Sequence, residues 1–283
     1  MRLEIKLIGY PLDHSISPVF QQAALDYCGI KADYIACSVT ESMLADEVHK
    51  IRADRCLGAN VTIPYKEKII PMLDKIDSVA SKLGAVNTIV KEEDQLVGYN
   101  TDLYGFTKGL IDSGGVNPNG KKALIFGAGG AARAAAFALV NQKVSSLIIV
   151  NRNYERAQSL SNELTNHGFT CFAKSLDYEN IQDIIAQSDL IVNSTPLGMD
   201  KHNEERVSIL NSNKLSKSTY VYDLVYSPIQ TPLIEQANAV GAKALGGLPM
   251  LVYQGASAFT MWTSREAPVE LMFEAANKAL NIK

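Results

Sequence analysis

The chain has 283 residues, 47% hydrophobic and 20% charged, with a formal net charge of -3. This is an ordinary globular composition, with room for one large domain or two ordinary ones. The weak negative charge and the absence of a long basic run argue against nucleic acid or an anionic membrane as partner, and four scattered cysteines with no C-x-x-C pair fit a reducing cytoplasm.

The N-terminal run to Gly9 alternates charged and apolar residues and predicts a first strand, not a signal peptide. A loop through His14, Ser15 and Ile16 leads to Ser17-Pro18, which reads as an N-cap with proline at the first helical position of a helix to Tyr27, ended by Gly29. Ser17 has a capping explanation. Ser15 is less easily explained that way, and two hydroxyls beside a helix start suit an anion seat for a carboxylate or phosphate. A strand over 32–39 and a helix over 42–51 follow.

Asn60-Val61-Thr62-Ile63-Pro64-Tyr65-Lys66 is predicted as a strand end running into a helix whose first turn holds Pro64 and Lys66. The helix dipole there disfavours an ammonium group. Two readings stay open: a lysine held in a cleft to move a proton, or an exposed helix-start lysine. Past Pro71 come a helix over 77–83, a strand over 84–90 carrying Asn87, and a hairpin partner over 95–99. Asp102 precedes a helix over 103–111 and could simply cap it. Ser15, Lys66, Asn87 and Asp102 all fall at strand ends or helix starts, which in a parallel sheet converge on one edge.

Residues 113–120 are turn-rich and read as a linker. The strand 122–126 then runs into Gly127-Ala128-Gly129-Gly130-Ala131-Ala132, a G-x-G-x-x-A dinucleotide fingerprint in its strand-turn-helix setting. The strand 147–150 ends at Asn151-Arg152, where an NAD site would carry an acid. Arg152, with Arg156 a turn later, suits the 2′-phosphate of NADP instead. Further strands are predicted over 169–173, 189–192, 220–226 and 243–245, and helices over 181–186, 231–239, 250–262 and 269–280. The last helix is expected to return to the first half. The 123–140 stretch holds three glycines and Arg133 and cannot span a membrane. No metal-ligand spacing is present.

Taken together, His14-Ser15-Ile16-Ser17-Pro18, Asn60 to Lys66, Gly84 to Thr88, Gly98 to Gly105, the glycine fingerprint, Asn151-Arg152, Asn193 to Met199 and Gly247 to Gly255 resemble the shikimate dehydrogenase family, in family order and nearly end to end. The resemblance implies an α/β chain of two domains: a mostly parallel substrate domain (1–102 plus 246–283) and a Rossmann-type dinucleotide domain (103–245), with the active site in the cleft between them. It implies NADPH-dependent reduction of 3-dehydroshikimate to shikimate on the route to chorismate and the aromatic amino acids. Carried over by position, Ser15 and Ser17 would hold the substrate carboxylate with Tyr226 nearby. Thr62, Asn87, Asp102 and Gln254 would bind and place the ring, and Lys66 and Asp102 would be the catalytic pair. Gly127, Ala128, Gly129, Gly130, Ala131, Asn151, Arg152, Arg156 and Thr195 would hold NADP, with Leu224 and Gly247 at its nicotinamide end. Which of the pair carries the proton stays open.

The expected partners are small molecules, with no nucleic acid, membrane or metal, and a monomer or homodimer in the cytoplasm. The rival readings are a quinate/shikimate dehydrogenase of relaxed substrate and NAD use, and a non-catalytic NADP-binding sensor. Ser17, Thr62 and Asn151-Arg152 look like the stricter biosynthetic type. A sensor has no need of Lys66 and Asp102.

Overall fold

The computed structural model describes residues 2–199, 208–210 and 214–281. The chain divides into two compact units, Met1–Gly105 with Leu251–Lys283, and Phe106–Met250.

The first unit begins with β1 (Leu3–Gly9), α1 (Ser17–Tyr27), β2 (Ala32–Ser38), α2 (Leu44–Lys50) and β3 (Cys56–Val61), continues with β4 (Lys75–Ile76), α3 (Ser78–Leu83), β5 (Thr88–Glu92) and β6 (Gln95–Tyr99), and reaches α4 (Asp102–Lys108). Its six strands form one sheet in the order β2-β1-β3-β5-β6-β4, in which only β5 runs against its neighbours. One face packs Ile8, Ala59, Val61 and Ile89 against Leu44, Val48 and Ala80 from α2 and α3. Each of the valine, leucine and isoleucine side chains contributes about 1.5–3 kcal/mol by its burial. Asp77 caps α3 by accepting from Val79 and Ala80 N–H, and Gly84 ends it with φ 58°.

The second unit carries β7 (Lys122–Phe126), α5 (Gly130–Asn141), β8 (Ser146–Asn151), α6 (Tyr154–Asn166), β9 (Cys171–Ser175), α7 (Ile181–Gln187), β10 (Leu190–Asn193), β11 (Tyr220–Asp223), α8 (Pro232–Ala239) and β12 (Lys243–Leu245). All pairings are parallel, in the order β12-β11-β10-β7-β8-β9. Counted within this unit the order is 3-2-1-4-5-6, the doubly wound arrangement whose chain reversal between β7 and β10 opens a ligand crevice at the strand carboxyl ends. The near-continuous apolar runs of β7 and β10 match strands covered on both faces. The chain then returns to the first unit through α9 (Leu248–Thr263) and α10 (Val269–Ala279). There α10 packs on α1, and Trp262 of α9 donates its indole N–H to Ile89 O at 2.8 Å.

Several boundaries differ from the sequence reading. No α-helix follows Pro64. Residues 63–69 form turns, with Tyr65 N–H bonded to Thr62 O, Ile69 N–H to Tyr65 O and Ile70 N–H to Glu67 O, and a short 3-10 turn covers Ile70–Met72. The reason is long-range: Lys66 O accepts from Val86 N–H at 2.8 Å, so the segment is tied to the approach to β5. No helix dipole therefore faces Lys66. Ser17 is the first residue of α1 and caps nothing with its side chain; Ser15 Oγ instead accepts from Ser17 N–H at 3.4 Å. The strand expected from Gly84 starts at Thr88, and that expected to Tyr226 stops at Asp223. The turn-rich stretch 113–120 lies inside the second unit.

Candidate functional site

In the first unit the carboxyl ends of β1, β3 and β6 and the start of β5 meet at one edge. Asn60 faces Thr88, and Thr88 faces Tyr99. Thr62 N–H, just past β3, donates to Ile8 O, and Tyr10 N–H donates to Ile63 O. The loop carrying Ser15 leaves this edge after β1. Thr62, half-buried, sits at the end of β3, and Lys66 is one turn further on.

Three of the four strand-end residues touch. Lys66 Nζ lies 2.6 Å from Asp102 Oδ2, with side chains 18% and 6% exposed. Asn87 Nδ2 donates to Asp102 Oδ1 at 2.9 Å, to Thr101 Oγ1 at 2.9 Å and to Gln254 Oε1 at 3.2 Å. Asn87 Oδ1 accepts from Thr101 N–H at 2.8 Å and from Thr88 Oγ1 at 3.0 Å, which fixes the sense of the amide. Gln254 Nε2 donates to Leu251 O. Asp102 does not cap α4 as the sequence allowed; it is that helix's first residue, and its N–H is taken by Asn100 Oδ1 at 2.9 Å. Ser15 and Ser17 share the edge without bonding to this network.

Sequence reasoning named Asn87 but not what holds it. Asn60 Nδ2 donates to Asn87 O and to Thr88 Oγ1, and Tyr34 OH donates to Asn60 Oδ1 at 2.7 Å. Burial pushes the Tyr34 phenol well above its ordinary range, so it stays a neutral donor. The available signal was an amide closing an otherwise apolar strand. A buried polar group without partners costs about 1–3 kcal/mol, so this chain of bonds holds Asn87 in one orientation.

The second unit presents a different surface. Gly127 has φ 111°, and a Cβ there would overlap Ser194 Oγ. Gly129 is the extended N-cap of α5 with no side-chain cap, and a Cβ there would meet nothing within 4 Å. The N–H groups of Gly130, Ala131 and Ala132 precede the first bond of the helix, Arg133 N–H to Gly129 O. An open backbone and a bare helix start fit a pyrophosphate. Ala132 is fully buried, as close packing of helix on strand requires. At the end of β8, Asn151 Nδ2 donates to Asn153 O, and Asn153 caps α6 through Arg156 N–H. Arg152 and Arg156 are exposed, and neither forms an ion pair among the described residues.

Thr195 follows β10, with its N–H and Oγ1 both bonded to Asn193 Oδ1 at 3.0 and 2.7 Å. Gly247 N–H donates to Val225 O at 2.9 Å, and a Cβ on Gly247 would overlap Leu224 O. Tyr226 belongs to this unit, three residues beyond β11, and burial pushes its phenol up. Among the described residues no helix is long and apolar enough to cross a membrane, and no group of three His, Cys, Asp or Glu could hold a metal ion.

Residues 7–89 match a family profile described as the shikimate dehydrogenase substrate binding domain, 112–239 one described as shikimate / quinate 5-dehydrogenase, and 247–276 one described as the shikimate 5'-dehydrogenase C-terminal domain. Shikimate dehydrogenase (NADP(+)) of Moorella thermoacetica is 43% identical over 98% of this chain and 93% of its own length. A crystal structure of a shikimate dehydrogenase in complex with NADP+ superposes with a TM-score of 0.90 at 38% identity, over 99% of this chain and 96% of that one. Quinate dehydrogenase from Corynebacterium glutamicum in complex with NAD gives 0.88 at 32% identity, over 97% and 98%.

Proposed function

The chain belongs to the shikimate dehydrogenase family, and from that premise we propose that it catalyses the reversible NADP-linked interconversion of 3-dehydroshikimate and shikimate, running toward shikimate in the synthesis of chorismate, with Lys66 and Asp102 as the catalytic pair. The observation that carries the reading is the 2.6 Å contact of Lys66 with Asp102, whose second oxygen is held by Asn87.

NADPH, when bound, supplies the hydride that reduces the ring ketone. Negative charge then develops on the ketone oxygen, and an acid must deliver a proton there. The pair supplies it. Asp102 Oδ2 holds the Lys66 ammonium, and Asn87 stops the carboxylate from turning away. In the oxidation direction the same pair takes the hydroxyl proton. Gln254, Thr62 and Asn87 bind ring hydroxyls, Ser15 and Ser17 hold the substrate carboxylate, and Tyr226 is a further substrate-binding residue. Prepositioning of this kind supplies much of the advantage of a bound over a free acid.

Gly127 to Ala131 cradle the pyrophosphate, and Arg152 and Arg156, with Asn151, take the 2′-phosphate. Thr195, Leu224 and Gly247 line the nicotinamide end. The substrate-binding part comprises 1–102 with 246–283, and the cofactor-binding part 103–245. The protein works in the cytoplasm, as a monomer or homodimer.

The test is an assay of purified protein with shikimate or quinate and NADP+ or NAD+, following absorbance of the reduced nicotinamide. Turnover of shikimate with NADP+ at the highest kcat/KM is expected. A preference for quinate with NAD+ would move the chain to the quinate branch, and no turnover with any pair would leave only a binding protein.

A further inference from the structure

Asp223 ends β11 and is completely buried, yet no cation among the described residues faces it. Its Oδ1 accepts from Asn193 Nδ2 at 2.8 Å and from Val225 N–H at 3.1 Å, and its Oδ2 accepts from Thr231 Oγ1 at 2.5 Å. Thr231 Oγ1 in turn accepts from Ile234 N–H and so caps α8. Asn193 is 1% exposed, and its amide has one permitted sense. Its Oδ1 must face the two Thr195 donors, so its Nδ2 must face Asp223 Oδ1 and Leu197 O. One carboxylate therefore ties together the loop after β10, the loop after β11 and the start of α8. Through Val225 O the tie extends to Gly247 N–H.

Burial opposes the charge on Asp223 and raises its pKa, against the three donors that lower it. Stability alone does not call for such a group, since an apolar substitute with its partners also removed is often nearly neutral. What a buried acceptor with three donors does supply is a single arrangement of the groups around it.

We propose that Asp223, acting through Asn193, is a positioning residue for the cofactor: it holds Thr195, Leu224 and Gly247 in the arrangement that receives the nicotinamide end. This rests on the NADP-dependent reading of the chain. Asp223 is completely buried and offers no surface to substrate or cofactor. Its effect passes through the segments that follow β10 and β11, beyond the point where the strand ladder and the Leu224 N–H to Asn193 O bond already join them.

Asp223→Ala leaves the Val225 N–H, the Asn193 amide and the Thr231 hydroxyl without an acceptor. Asp223→Asn keeps an oxygen for Val225 and Asn193 and offers its NH2 to Thr231 Oγ1. The experiment measures NADP+ affinity by titration, shikimate affinity by titration, kcat, and the melting temperature, for wild type and both variants well below their melting points. Asp223→Ala is expected to weaken NADP+ binding about tenfold and to lower kcat, with shikimate affinity within about twofold of wild type and Asp223→Asn recovering most of the loss. Should Asp223→Ala not fold, Asn193→Ala is read instead, with the same expected pattern. A variant with wild-type NADP+ affinity and kcat and only a lower melting temperature would make Asp223 a folding residue and overturn the proposal. A wild-type protein that binds no NADP+ would overturn both this and the functional reading beneath it.

Discussion

In the first unit the polar side chains at the strand ends bind one another; in the second the turn after β7 is mostly backbone, and the linked polar side chains lie at the ends of β10 and β11 instead. Asn87 and Asp102 are 2% and 4% exposed and joined to Lys66, Thr101 and Gln254 by bonds of 2.6–3.2 Å. Around Gly127 and Gly129 the chain offers turn geometry, open space and the unbonded start of a helix, with exposed Arg152 just past the next strand and exposed Arg156 in the first turn of α6. On the function proposed above, the difference follows from what each would hold. A neutral ring oxygen that gains charge only during reaction needs an acid already aimed at it. A dinucleotide brings its own charges, and free N–H groups with exposed guanidinium groups suffice to bind them.

Substitutions can break this contrast. Lys66→Ala should give the largest loss, lowering kcat by at least about 10²-fold, within the usual range for general acid–base groups, while titrated shikimate affinity changes much less. A normal kcat with only a raised KM would reduce the lysine to a binding contact. Gly129→Ala tests the open backbone. Because nothing stands within 4 Å of the added Cβ, the melting temperature should hold while NADP+ affinity falls about ten- to a hundredfold. Gly127→Ala should instead melt early, by about 1–3 kcal/mol, since φ 111° and Ser194 both oppose a side chain. Equal behaviour of the two variants would show that the open space at Gly129 serves no ligand.

Two smaller effects sharpen the picture. Arg152→Ala should weaken NADP+ about tenfold, from loss of a hydrogen bond to a charged group, and leave NAD+ nearly unaffected. Equal losses for both cofactors would give the arginine a folding role. Ser15→Ala and Ser17→Ala should each raise the KM for shikimate about two- to tenfold and leave cofactor affinity alone. Since Ser15 is the residue that accepts at the start of α1, its variant should also melt slightly earlier, and a lower melting temperature without any change in KM would leave it only that role.

The cofactor half was the more legible in sequence because its signals are local. Strand, glycine turn and helix follow one another over Lys122 to Asn141, and from β7 to β10 each pair of successive strands is separated by a helix. The doubly wound class was legible for the same reason. In the first unit, local signals misled. Proline before a lysine resembles a helix start, but the bond from Val86 N–H to Lys66 O, made across twenty residues, turns the segment elsewhere. Tyr34 and Asn60, which hold Asn87, lie 53 and 27 residues before it, so no short pattern could announce them. Asp223 left a faint trace, an acid at the end of an apolar strand. Its partners at 193 and 231 come from other elements and emerge only with the fold.

The central claim is that Lys66 and Asp102 act as one catalytic unit. The most direct measurement is kcat for Lys66→Ala, Asp102→Ala and the double variant under saturating shikimate and NADP+. Residues acting as a unit are non-additive, so the double variant should lose little more than the worse of the two singles. Losses that multiply would contradict the account and assign the lysine and the carboxylate to separate steps.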